Sequence, residues 1–136
     1  MSDSMTVGYL GGDRFVIEIR GHTVIVDQPL DAGGTDTAPT PTELLVAALA
    51  SCVAFYARRY LDRHDLPTEG LAVSTDYTLG GRPARVSDIS ISITPPPGLP
   101  AERRDAFLAV ASHCTVHNTL HEPPTVAITL TTEEQA

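Results

Sequence analysis

Thr40-Pro41-Thr42-Glu43-Leu44-Leu45-Val46-Ala47-Ala48-Leu49-Ala50-Ser51-Cys52 decides how this chain is read. Its first four residues spell a helix start. Thr40 caps the N-terminus with its hydroxyl, and Glu43 reaches back to the Thr40 backbone N–H. Pro41 takes the first helical position, where a missing N–H costs nothing. From Leu44 through Ala57 no charge appears, and the residues favour a helix and are apolar on every side. A helix apolar all round is expected to be buried all round. Cys52 then lies in a central, enclosed helix, either as inert core or as a nucleophile held away from bulk water.

The helix is expected from Pro41 to His64, a length of roughly 35 Å. Its last turns become polar through Arg58, Arg59, Asp62 and Arg63, and arginine near a C-terminus suits the helix dipole. Upstream, Thr6 to Leu10 reads as a short strand. Arg14 to Arg20 alternates, with Phe15, Ile17 and Ile19 on one face, and Thr23 to Asp27 is a β-branched run, its hairpin partner. Pro29 to Pro39 is a loop rich in breakers. Downstream, Leu71 to Leu79 and Arg85 to Thr94 read as strands. A second helix starts near Pro100 and reaches Ser112-His113-Cys114, and a short third runs from Val116 to His121. Thr125 to Thr131 alternates as a final strand, with Val126, Ile128 and Leu130 expected inward. Hairpins dominate and no βαβα alternation occurs, so the fold class is α+β with a mostly antiparallel sheet.

Hydrophobic residues make up 42% and charged residues 19% of the 136-residue chain, the balance of one soluble domain, 1–136, with a sizeable core. All nine basic residues are arginine, and the net charge of -8 argues against an electrostatic nucleic-acid binder. Met1-Ser2-Asp3-Ser4 lacks a basic start and an apolar signal core. The uncharged run from Leu44 to Ala57 is too short for a bilayer. A cytoplasmic protein with no membrane partner is expected. One small sheet and one second helix leave part of the central helix uncovered, so an interlocked homodimer is the simplest way to enclose it.

The chemistry-bearing candidates are the two cysteines. In the cytoplasm a pair of thiols is more often redox-active, metal-binding or inert than a structural disulfide. As inert core, both are small buried hydrophobes. As a redox pair, they need Cα atoms within about 7 Å, and the attacking sulfur needs a cation to favour its thiolate. Arginine supplies a fixed charge and a fork of donors. A rival reading is zinc: His113, Cys114, His117 and His121 cluster, with His117 and His121 spaced i, i+4. No Cys-x-x-Cys accompanies them, and polar residues around a helix end explain them more simply.

Pro41-x-Glu43-Leu44-Leu45-x-Ala47-Ala48-Leu49-Ala50-Ser51-Cys52, followed by His113-Cys114-x-Val116-x-Asn118-Thr119, resembles the OsmC/Ohr family of thiol-dependent peroxidases, in its broader OsmC-like branch. The resemblance covers nearly the whole chain. It implies an OsmC-like fold, an intertwined homodimer whose sheets wrap around central helices, and active sites at the dimer interface. It implies reduction of organic hydroperoxides in an antioxidant response, with a dithiol or lipoyl-type reductant restoring the enzyme and no cofactor or metal. Carried onto this sequence, Cys52 matches the peroxidatic cysteine and Cys114 the resolving one. Arg14, after Gly11-Gly12-Asp13, matches the family arginine, with Arg20 a weaker match. Glu43 matches the glutamate of the Pro-x-Glu-Leu-Leu form. The peroxidase branch carries its glutamate where this chain has Thr42, and the family usually has proline where this chain has Thr115. A second reading is an OsmC-like dimer without peroxidase activity that binds an apolar or thiol ligand in the same interface pocket.

Overall fold

The structure is a computed structural model that describes residues 4–131. It divides into two compact units. One is the chain through Ser51 together with Val73–Ile93, and the other is Cys52–Ala72 together with the chain from Thr94 onward.

In the first unit, β1 (Met5–Gly11), β2 (Arg14–Ile19) and β3 (His22–Val26) form an antiparallel sheet in the order β1-β2-β3. The Gly11-Gly12 turn carries positive φ at both glycines, where a side chain would be strained. The register shifts between Tyr9 and Gly11, so that Gly11 faces Arg14. Such a bulge turns the strand and re-aims the side chain opposite it. β4 (Ala72–Gly80) and β5 (Arg85–Thr94) form a separate two-stranded sheet. In β5, Ile89, Ile91 and Ile93 alternate in burial with the serines and threonine between them, as the sequence requires.

The loop after β3 is tied to a single carboxylate. Asp27 is wholly buried. It accepts hydrogen bonds from the Thr35 and Thr37 hydroxyls at 2.7 and 2.8 Å, and from the backbone N–H groups of Gln28 and Thr37 at 2.7 and 3.0 Å. The Thr35 hydroxyl and the Thr37 N–H lead in holding its carboxyl well below the usual carboxylate range, against the opposing effect of burial. Gly34 sits so close to this knot that a Cβ would collide with the Gln28 carbonyl. The Asp27 N–H donates to the Pro39 carbonyl at 3.1 Å, which delivers the chain to the cap of the long helix.

That helix, α1 (Pro41–Arg63), begins with the capping box expected of it. The Thr40 N–H donates to Glu43 Oε1 at 2.8 Å, and the Glu43 N–H donates to Thr40 Oγ1 at 3.0 Å. Its burial departs from the sequence expectation. Val46, Leu49, Val53, Ala57, Tyr60 and Leu61 form a buried stripe at three- and four-residue spacing, whereas Leu45 and Phe55 remain 43% and 53% exposed. An apolar composition records what a surface needs; one chain of this size supplies cover for one stripe. In length and hydropathy α1 also meets the measure of a membrane span, as core helices of soluble proteins do.

In the second unit, a 3-10 turn at Ala101–Arg103 leads into α2 (Arg104–Ser112), and α3 (Thr115–His121) follows. Tyr60 of α1 meets Phe107 of α2 edge-on, with ring centroids 5.8 Å apart, and Leu61, Leu99, Phe107, Ala111 and Cys114 complete this core. The final strand expected over Thr125 to Thr131 does not form. The segment has no regular structure, and Val126, Ile128 and Leu130 are exposed rather than inward. Alternation gives a strand its two faces, but a strand also needs an edge to pair with, and this segment has none among the described residues.

Candidate active site

Cys52 and Cys114 both belong to the second unit, on α1 and at the start of α3, and both are free thiols. Cys114 is the N-cap of α3 and accepts a hydrogen bond from the His117 N–H at 3.3 Å. Cys52 is near enough to Cys114 to act on its thiol. The two sulfurs differ in their surroundings. Cys52 is half-buried, whereas Cys114 has no exposed surface. Burial pushes the Cys114 thiol up, and the neighbouring Cys52 adds to the effect against the pull of the His117 and Val116 N–H groups. Burial thus makes Cys114 harder to ionise than an ordinary thiol, and Cys52 is the member of the pair with exposed surface.

A polar clasp holds the two segments together. Tyr56 stands one turn beyond Cys52 on the same helix face, and Thr115 directly follows Cys114. Their hydroxyls share a hydrogen bond of 3.0 Å. The sequence reading missed Tyr56. Its signal is the i, i+4 spacing from Cys52, which places a hydroxyl on the cysteine's own face of an otherwise apolar helix. Thr115, noted only as a departure from proline, is its partner.

The other two candidates lie in the first unit. Arg14 opens β2 opposite the bulge; it is half-buried, and its Nε is enclosed without a partner. Glu43 closes the capping box of α1, its carboxylate committed to the Thr40 N–H. Arg20 stands at positive φ in the β2–β3 turn. The histidines hold helix ends. His113 Nδ1 donates to the Ala109 carbonyl at 2.6 Å, and His117 Nδ1 donates to the Ser112 carbonyl, since a carbonyl only accepts. Among the described residues, no group of three or more His, Cys, Asp or Glu comes together as a metal site.

The chain has counterparts among known proteins. The family model for OsmC-like protein matches residues 34–129, a span that includes α1, both cysteines and all three helices. This chain belongs to the OsmC-like family. The fold recurs in solved structures. A candidate osmotic stress induced and detoxification response protein from Psychrobacter arcticus is 26% identical, with 88% of each chain covered and a TM-score of 0.80. An organic hydroperoxide resistance protein OsmC from Legionella pneumophila is 18% identical over 88% of this chain and 89% of that one, at a TM-score of 0.64. An OsmC-like protein of unknown function from Vibrio cholerae is 14% identical over 88% and 94%, at 0.69. No curated protein matches the chain. The α+β class with antiparallel sheets, read from the hairpin pattern, is thus the OsmC-like fold.

Proposed function

We propose that this OsmC-like protein is a cytoplasmic, cysteine-based peroxidase that reduces organic hydroperoxides through Cys52 and Cys114. The observation that carries this reading is the unequal thiol pair: a half-buried cysteine beside a wholly buried one whose thiol burial pushes up. A thiolate is the nucleophile in such chemistry. Cys52 as thiolate attacks the distal oxygen of the hydroperoxide, the O–O bond breaks, and the departing alkoxide takes a proton from solvent, where Cys52 released one on ionising, and leaves as an alcohol. Cys52 is then a sulfenic acid. The Cys114 sulfur attacks it, a disulfide forms, and its proton leaves with the hydroxyl as water. A dithiol, of the lipoyl type or on a protein, exchanges with that disulfide and restores both thiols.

The family resemblance assigns Arg14 the task of favouring the thiolate and the departing alkoxide; its enclosed, unpartnered Nε is a donor still to be used. Glu43 is assigned to the same machinery, beyond its capping role. The working form in this proposal is a homodimer, and a second copy covers the apolar residues that α1 and α2 leave exposed, among them Leu45, Phe55 and Leu108. Consumption of tert-butyl hydroperoxide with a dithiol reductant, in wild type and Cys52→Ser, tests the enzyme. The wild type turns over and the variant does not. Equal consumption by both would remove the proposal.

A further inference from the structure

Beyond the cysteine pair, the second unit holds a cleft of about 420 Å³. It begins at Tyr56, one turn from Cys52, and runs along α1 past Arg59, Tyr60, Arg63 and His64, with Val110 and His113 on its far side. The volume lies in the range of small-molecule sites.

The charge of this lining is unlike that of the rest of the chain. The protein is acidic, with 17 carboxylate side chains against nine arginines, yet the cleft is lined by two arginines and two histidines and by no carboxylate. Arg59 and Arg63 are spaced i, i+4 and project on one helix face. Among the described residues the ion pair found is between Arg58 and Asp62, at 3.0 Å, so neither cleft arginine is neutralised by it. The guanidinium of Arg59 lies 5.9 Å from the Phe55 ring centroid, a cation–π contact that leaves its N–H fork unspent. Arg103 adds a third cation behind the wall. It donates to Tyr60 Oη at 3.3 Å and to His64 Nδ1 at 2.9 Å. Because arginine only donates, His64 Nδ1 is the acceptor, and Nε2 carries the imidazole hydrogen. The Tyr60 ring is fixed between His64, at 4.3 Å, and Phe107, at 5.8 Å. With Val110 it gives the cleft an apolar wall beside its cationic one.

We infer that this cleft binds an organic carboxylate, its head on the Arg59 and Arg63 forks and its apolar body against Tyr60 and Val110. Arginine forks match a carboxylate with two parallel bonds. The apolar wall selects a small amphipathic anion over a bare ion, and the net negative charge disfavours a polyanion. The site stands on residues separate from both cysteines, so it does not depend on peroxidase activity.

The test is calorimetric titration of the whole protein with octanoate, with octanamide and inorganic phosphate as controls. Octanoate is expected to saturate one site per chain, and the two controls to bind at least about tenfold more weakly. Arg59→Gln and Arg63→Gln each weaken octanoate at least about tenfold, whereas Arg58→Gln, which removes an arginine already paired with Asp62, leaves it unchanged. Circular dichroism confirms that each variant is folded. Absence of octanoate binding, equal binding of octanamide or phosphate, or equal loss in Arg58→Gln would each overturn the assignment. Binding of octanoate by the Cys52→Ser variant is expected to match wild type, which keeps this result distinct from the fate of the peroxidase proposal.

Discussion

Two buried polar centres, one in each unit, stand in contrast. Asp27 sits in the first unit with both carboxylate oxygens occupied by hydroxyl and amide donors. Cys114 sits in the second with the His117 N–H donating to its sulfur and a second thiol nearby. Both are wholly enclosed, yet their environments push them in opposite directions. Donors hold the Asp27 carboxyl ionised, and burial holds the Cys114 thiol protonated. A fully satisfied charge fixes a loop and has nothing left to react with. A thiol next to another thiol can bond to it only when an oxidant takes up two electrons, which in the proposed reaction is the hydroperoxide.

The contrast breaks first at the cysteines. Cys52→Ser is expected to lower hydroperoxide turnover by about a hundredfold or more, because the nucleophile itself is lost, while thermal unfolding stays close to wild type. A stopped-flow or ferrous-oxidation assay of residual peroxide measures it. Asp27→Ala has the opposite signature. It leaves the Thr35 and Thr37 donors without their acceptor and is expected to lower Tm sharply, with the loop between β3 and α1 losing amide protection. The acid dependence has a definite sign. The Asp27 carboxyl is depressed, so its contribution is complete above the ordinary carboxylate pKa of about 3.9 and is lost as pH falls below it. Urea titrations of wild type and Asp27→Ala at several pH values are expected to converge only in strong acid.

Smaller effects sharpen the same comparison. In Cys52→Ser, alkylation of Cys114 by iodoacetamide is expected to be slow at neutral pH and to accelerate only above the ordinary thiol range, since burial lowers the thiolate fraction at any given pH. Rapid labelling at neutral pH would mean that the thiol is not enclosed. Thr40→Ala removes one half of the capping box and is expected to cost about 1 kcal/mol by denaturant unfolding. Tyr56→Phe, which frees the Thr115 hydroxyl at the surface, is expected to slow disulfide formation severalfold with less effect on stability. No change in that rate would make the clasp irrelevant to the pair.

The sequence disclosed some of this more readily than the rest. Thr40-Pro41-Thr42-Glu43 announces α1 because a capping box is a local device, complete within four residues. The strands β2, β3 and β5 are legible because alternation encodes two faces. The final strand fails for the same reason that these succeed: Val126, Ile128 and Leu130 alternate, but periodicity does not name a partner. The burial of α1 is narrower than its composition suggests: Leu45 and Phe55 are apolar yet lie outside its buried stripe. The Asp27 knot joins residues eight and ten positions apart through a glycine-rich loop, a pairing that no periodicity exposes. The cysteines were legible as a pair through their motifs. That one is enclosed and the other reachable depends on how α3 starts, and Tyr56 and the arginine-lined cleft depend on which face of α1 meets α2.

The account rests on the two thiols forming a bond with each other when an organic hydroperoxide arrives. One equivalent of tert-butyl hydroperoxide, followed by alkylation and non-reducing peptide mass spectrometry, tests it. The predicted result is a cross-linked pair of peptides containing Cys52 and Cys114, reversed by a dithiol and absent in either single serine variant. Two alkylated free cysteines, or a Cys52 carried on to sulfinic acid with Cys114 untouched, would contradict it.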